Sequence, residues 1–186
     1  FHACAWYKLY VLTVRQFKKL TGEKHQALAN QLLCASLIIP DAKQSATFDM
    51  ESEKDTITTL AALLGFPVIP KRHSLLREIM AKDVQNYAHP VLRSLYQALE
   101  SGFDPIGLPA SVKRALDYIS ASPELKKYKQ ALSDLVVLRV TSQLSRVYAT
   151  MHIDVYTGLF SVLELDLPAI EKSLMSGTKM SMVHLR

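Results

Sequence analysis

From Leu132 to Arg186 the chain reads LSDLVVLRVTSQLSRVYATMHIDVYTGLFSVLELDLPAIEKSLMSGTKMSMVHLR, and the order of elements in it decides the fold. Leu132, Val136, Val140, Leu144, Val147 and Met151 recur at steps of three and four, the spacing that lines one face of a long helix. Ile153 then leads into Asp154, read as the N-cap of a short helix carrying Tyr156, Leu159, Phe160 and Leu163. Asp166 is placed to cap a second one, with Pro168 in a first turn that has no hydrogen bond to lose there. Ile170 and Leu174 face inward, and Gly177 is placed to end the helix. Lys179 to Arg186 reads as one exposed strand. A long helix, two short capped helices and a strand give a helix-turn-helix in the order of a winged-helix module, with the wing cut off.

The chain has 186 residues, 49% of them hydrophobic and only six of them glycine, which argues for a folded body rather than a disordered segment. It begins Phe1-His2-Ala3-Cys4-Ala5-Trp6, already in helical rhythm, and reads as a piece of a longer protein. No apolar run is long enough to span a bilayer and no basic-apolar-small leader is present, so the expectation is a soluble, cytoplasmic protein with no membrane partner. Cys4 and Cys34 sit in apolar, helical surroundings and read as buried free thiols. A catalytic cysteine would need one of the six histidines brought beside it by the fold, and nothing local marks a nucleophile. No pair of His or Cys has zinc spacing and no glycine-rich loop cradles phosphate, so neither metal nor cofactor is expected, and the chain reads as no enzyme.

Net charge is +5, which favours an acidic partner without naming it. The basic clusters are Lys18-Lys19 with Lys24, Lys71-Arg72-His73, Lys113-Arg114, and Lys126-Lys127 with Lys129. On helices such runs are commonly the solvated face, and they are also what a surface touching RNA requires. Lys71, Arg72, Lys113, Arg114, Lys126, Lys127 and Lys129 are the candidate RNA contacts.

Upstream of Leu132 the pattern is helical throughout. Phe1, Ala5, Leu9, Leu12, Phe17 and Leu20 make a first stripe, whose apolar face Trp6, Tyr7 and Tyr10 widen, broken at Thr21-Gly22. Leu28, Leu32, Ala35 and Ile39 make a second, so the two helices are expected to pair as a hairpin. Asp41 to Ser52 is polar and aperiodic and reads as the longest loop. Asp55 to Leu64 is helical and stops at Gly65; Ser74 reads as the N-cap of the next helix, with Leu75, Leu76, Ile79 and Met80. Pro90 opens a helix with Leu92, Leu95, Tyr96 and Leu99, and Val112, Leu116 and Ile119 form another stripe before Pro123. Short helices with one narrow apolar face cannot bury themselves alone and are expected to stack as a right-handed array. The fold class is therefore mostly α. A stacked helical-repeat array (residues 1–131) leads into a long helix and truncated winged helix (residues 132–186).

This architecture resembles that of the PCI-domain subunits of the proteasome lid, the signalosome and translation initiation factor 3. Particular stretches resemble the a-type subunits of that eukaryotic factor. Leu33-Cys34-Ala35-Ser36-Leu37-Ile38-Ile39-Pro40 is similar to their "LLATLSIP", and Leu60-Ala61-Ala62-Leu63-Leu64-Gly65-Phe66 to their "LATLLGL". Pro90-Val91-Leu92-Arg93-Ser94-Leu95-Tyr96, with Leu99-Glu100 and Phe103-Asp104-Pro105, resembles "PEVKDLYNWLE…FNPL". Leu138-Arg139, Ser142-Gln143 and Ser145-Arg146-Val147-Tyr148 resemble "LRLLQQVSQIY", with Thr141 and a shifted Ser-Gln as departures. The resemblance implies a non-catalytic scaffold in translation initiation. It would pair with a sister PCI subunit and help the assembled factor hold the small ribosomal subunit, its ribosomal RNA and mRNA. A PCI scaffold of a proteasome-lid or signalosome-like assembly is the alternative.

A helix that reads DNA carries several Arg, Lys, Asn or Gln side chains toward base edges. Asp166 to Met175 offers Lys172 against Asp166 and Glu171, which is a poor groove reader and favours a protein partner. The strand edge at Lys179, Met180, Ser181, Met182, Val183 and His184 is the candidate surface for pairing with a sister subunit.

Overall fold

The computed structural model describes residues 1–16, 21–39, 58–66 and 70–179, and every regular element among them is helical. The elements are α1 (His2–Gln16), α2 (Gly22–Leu37), α3 (residues 58–63), α4 (Arg72–Ala81), α5 (Val84–Tyr87), α6 (Pro90–Glu100) and α7 (Leu108–Ala121). After a 3-10 turn (Lys126–Tyr128) come α8 (Lys129–Leu144) and α9 (Ile153–Phe160). A second 3-10 turn (Ser161–Leu163) leads to α10 (Leu167–Lys179). The helices gather into two compact units that divide between His89 and Pro90. The expected loop at Asp41 to Ser52 lies outside the described residues.

In the first unit α2 is the centre, packed against α1, α4 and α5. Its second half, from Ala29 to Leu37, is buried on every side, so the stripe predicted for it is only part of a face that closes right round. Asn30, although polar, is held there because its Oδ1 accepts the His89 backbone N–H at 2.8 Å. The inward face of α1 differs from the predicted one. Ala3, Cys4, Tyr7 and Tyr10 are buried, while Phe1, Leu9 and Leu12 are about half exposed. Tyrosine explains the rotation: a buried ring removes more apolar area than leucine, provided its hydroxyl finds a partner. Tyr10 Oη lies 2.8 Å from His25 Nε2, and Tyr7 faces Glu78.

Gly65 ends α3 as predicted, with φ +71, the left-handed conformation that glycine adopts without strain. The Phe66 N–H returns to Ala61 O at 2.9 Å and the Gly65 N–H to Ala62 O at 2.8 Å, the paired bonds of a Schellman motif. Lys8 of α1 secures this turn by donating to Gly65 O at 3.1 Å and lying 4.3 Å from the Phe66 ring centre. Ser74 is not the cap of α4. The helix starts three residues earlier, after an extended Lys71, because the Lys71 carbonyl already takes the Leu75 N–H at 3.0 Å. α5 was not legible in the sequence: it has a single turn, and it follows a left-handed Asp83 (φ 53) that reverses the chain after α4.

In the second unit α8 is the centre, packed against α7 and α10. Leu132, Val136 and Val140 are fully buried and Leu144 nearly so. The helix ends there, seven residues short of the predicted Met151. Thr141, Ser142 and Ser145 are the physical reason. Thr141 Oγ1 donates to Val137 O at 2.7 Å and Ser145 Oγ to Ser142 O at 3.0 Å, competing with the helical ladder. The following N–H groups of Arg146 and Val147 bond three residues back instead of four, which tightens the last turn and rotates Val147 to the surface. His152, not Asp154, precedes α9, and Asp154 sits in the first turn, where a carboxylate still favours the helix dipole. Asp166 caps α10 as predicted, its Oδ1 accepting the Ala169 N–H at 3.1 Å. Gly177 does not end α10, which continues to Lys179; an interior glycine weakens a helix by about 1 kcal/mol relative to alanine but does not break it.

Two substitutions on one predicted stripe should behave in opposite ways. Val140→Asp places an unpaired charge at a fully buried position and should cost on the order of 3 to 5 kcal/mol in urea unfolding, whereas Val147→Asp, at 54% exposure, should stay within about 0.5 kcal/mol of the parent. Equal losses would restore the longer helix.

Candidate interaction surfaces

The basic residues singled out in the sequence divide into those bonded to distant backbone carbonyls and those exposed at the surface. In the first unit Lys71 is exposed ahead of α4, and Arg72 turns back so that its Nε donates to Ile39 O at 2.9 Å. The helix before Ile39 ends with carbonyls lacking helical donors, and a guanidinium is a natural cap for them. In the second unit Lys113 is also engaged: Nζ donates to Val162 O at 2.9 Å and lies 3.7 Å from Glu164 Oε1. It fastens α7 to the 3-10 turn after α9, where Glu164 adopts a left-handed conformation (φ 58). Sequence offered no signal for this, since the acceptor is a backbone carbonyl 49 residues away.

Arg114, Lys126, Lys127 and Lys129 are exposed. The last three lie on one continuous stretch, the 3-10 turn and the first residue of α8, with Tyr128 buried between them as the anchor. The Lys127 ammonium sits 5.0 Å from the Tyr128 ring centre. No acidic residue lies in the first turn of α8, where a carboxylate would stabilise the helix and a lysine slightly opposes it. The arrangement therefore favours an arriving anion more than it favours the helix. The backbone N–H groups of Leu125 and Lys126 are both bonded to Ser122 O, so an anion here would be met chiefly by ammonium groups.

α10 shows the reverse economy. Asp166 is spent on its own cap, and Ser173 Oγ donates to Asp134 Oδ1 of α8 at 2.7 Å. Glu171, Lys172 and Met175 remain exposed, and Met175 is 64% exposed. One lysine beside one glutamate and a methionine suits a protein surface better than a DNA groove. Of the expected pairing segment, Lys179 is the last residue of α10 rather than the start of a strand, and Met180, Ser181, Met182, Val183 and His184 lie outside the described residues.

Exposed apolar side chains gather at another place in this unit. Ile106, Tyr148, Thr150, Met151, His152, Val155 and Leu159 line an open groove of about 360 Å³. The two cysteines offer no chemistry to match it. Both are buried, and burial raises the Cys4 thiol and pushes the Cys34 thiol up to about 12, so both stay protonated at neutral pH. Among the described residues no group of three His, Cys, Asp or Glu is placed to hold a metal ion, and no helix is long and apolar enough to cross a membrane.

The division of the lysines is testable by stability alone. Lys113→Gln removes a partly exposed bond and ion pair and should cost about 0.5 to 1 kcal/mol in urea unfolding, while Lys126→Gln should cost nothing measurable. A loss at Lys126 equal to that at Lys113 would mean that both are structural.

Comparison with known proteins matches residues 1–107 to the family described as eIF3a, PCI domain, TPR-like region. In Drosophila melanogaster the A subunit of eukaryotic translation initiation factor 3 is 36% identical over 159 residues, covering 81% of this chain and 14% of that protein. The corresponding subunit of Drosophila grimshawi is 35% identical over 160 residues, covering 81% of this chain and 18% of that protein. That of Monosiga brevicollis is 29% identical over 160 residues, covering 83% and 15%. The chain thus spans only a small part of the length of these relatives. With the family match covering more than half of the chain, and relatives 35 to 36% identical over 81% of it, this chain belongs to the eIF3a family, its residues 1–107 matching the TPR-like region of the PCI domain.

Proposed function

We propose that this chain is the PCI region of a non-catalytic scaffold subunit of eukaryotic translation initiation factor 3. In this reading it pairs with a sister PCI subunit in the cytoplasm and helps the assembled factor bind the small ribosomal subunit, through ribosomal RNA and mRNA. Residues 1–131 serve as the helical-repeat part, and residues 132–186 as the long helix and winged-helix part. The family membership supports this over a proteasome-lid or signalosome scaffold.

The observation that carries the ribosome contact is the stretch Lys126, Lys127 and Lys129, three exposed lysines held on one short segment around the buried Tyr128. Lys71 and Arg114 are secondary contacts in this proposal. Arg72 and Lys113, both bonded to backbone carbonyls, contribute by holding the fold. Pairing with the sister subunit is assigned to the segment Lys179 to His184 together with the outward face of α10. Among the described side chains that face carries Met175 with two opposite charges, Glu171 and Lys172, so little charge must be stripped of water on docking there.

Lysine binds phosphate largely as a point charge, releasing condensed counterions as it does so. Reversing Lys126, Lys127 and Lys129 to glutamate should therefore weaken binding of the assembled factor to small ribosomal subunits. It should also lower the slope of log affinity against log salt by about one for each phosphate that is no longer neutralised. Co-purification with the sister subunit and the urea midpoint of the isolated chain should not move. Identical salt slopes for variant and parent would reduce the lysines to a solvated helix face and remove the ribosome contact from this surface.

A further inference from the structure

Three helices of the first unit meet at one imidazole. His25 stands near the start of α2, and its Nε2 lies 2.8 Å from Oη of Tyr10 on α1. Its ring is stacked on that of Tyr87, the last residue of α5, with centroids 3.9 Å apart and planes inclined by 25°. The Tyr10 ring completes the cluster, 5.5 Å from the imidazole centre. Tyr10 is 3% exposed, and its hydroxyl has no other partner among the described residues.

We propose that His25 is a proton-operated clasp, holding α1 and α5 on α2 while its ring is neutral and loosening α1 when the ring takes up a proton. With its one proton on Nδ1, the neutral ring offers Nε2 as an acceptor and Tyr10 donates to it. An imidazolium has no acceptor. The Tyr10 hydroxyl must then turn to accept, and its own hydrogen is left in a nearly closed space with no partner. The stack on Tyr87 works the other way, because an aromatic face attracts a cation. Desolvation is the stronger influence: partial burial holds His25 below its ordinary value of 6.5.

Among the described residues the groups facing the ring are Tyr10 from α1 and Tyr87 from α5. α4, the other helix packed on α2, directs Glu78 to Tyr7 and pairs His73 with Arg77, and no carboxylate contributes to the shift at His25. On α2 itself Glu23 and Lys24 are exposed. Because the folded form binds the proton less readily than the unfolded one, the stabilisation is complete above 6.5 and is lost as pH falls from there through the lower folded value.

The test is a histidine NMR titration of the full chain, combined with amide hydrogen exchange corrected for intrinsic rates. His25 should titrate below 6.5, and protection of the α1 amides should fall several-fold between about pH 7.5 and 5.5. In His25→Gln, whose amide keeps an acceptor but does not titrate, that fall should be absent. The same fall in His25→Gln would assign it to other histidines and overturn the clasp. Where His25→Gln does not fold, the parent titration decides: a His25 midpoint at or above 6.5 overturns the proposal, and one below it upholds the clasp.

Discussion

Arg139 and Gln143 stand one turn apart on α8, and both reach carbonyls that α6 leaves open at its end. Arg139 donates through Nε and Nη2 to Leu99 O at 3.0 and 2.9 Å, with Glu100 3.8 Å from the same guanidinium. Gln143 Nε2 donates to Gly102 O at 3.1 Å. The last carbonyls of a helix must find donors somewhere, and here a neighbouring helix supplies them from side chains. The same helix offers Asp134 to Ser173 of α10, and its Thr141 hydroxyl lies 2.6 Å from that of Tyr156 on α9. α8 thus places the end of α6, α9 and α10 with polar contacts, while its valines and leucines fill the space between. The arrangement has a cost, since Gln143 Oε1 is buried with no partner among the described residues, a penalty of about 1 to 3 kcal/mol.

This use of polar groups explains the character of the surface. Arg72, Arg139, Lys113, Asp134, Asp166 and Ser173 hold helix ends and helix pairs, leaving few charges outward on the last two helices. The lysines at 126, 127 and 129 are different because the buried Tyr128 and Leu125 fix their backbone while their side chains stay exposed. A surface that is electrostatically quiet at α10 and positive at the start of α8 is what a scaffold needs if one side meets protein and another meets phosphate.

Elements with local stop and start signals were legible from sequence. Pro90, Gly65 and the Asp166-Pro168 pair each do what a single residue dictates to its own backbone. Features set by distant partners were not. The α1 face turned on the tyrosines, whose partners His25 and Glu78 come from other helices, so the stripe through Phe1, Leu9 and Leu12 looked equally good. The end of α8 at Leu144 followed from hydroxyl groups competing with the ladder, which an apolar repeat does not register. Of the seven basic residues proposed from sequence, Arg72 and Lys113 proved to be bonded to carbonyls far along the chain, which no charge pattern reveals.

Residues 90–179 are built on α8. Native-state hydrogen exchange resolved by residue tests it most directly. The amides of Val136 to Val140, buried on almost every side, should be the slowest in that unit and should open only with its complete unfolding. Amides of α8 exchanging as fast as those of the more exposed α9, while α6 and α7 stay protected, would contradict it.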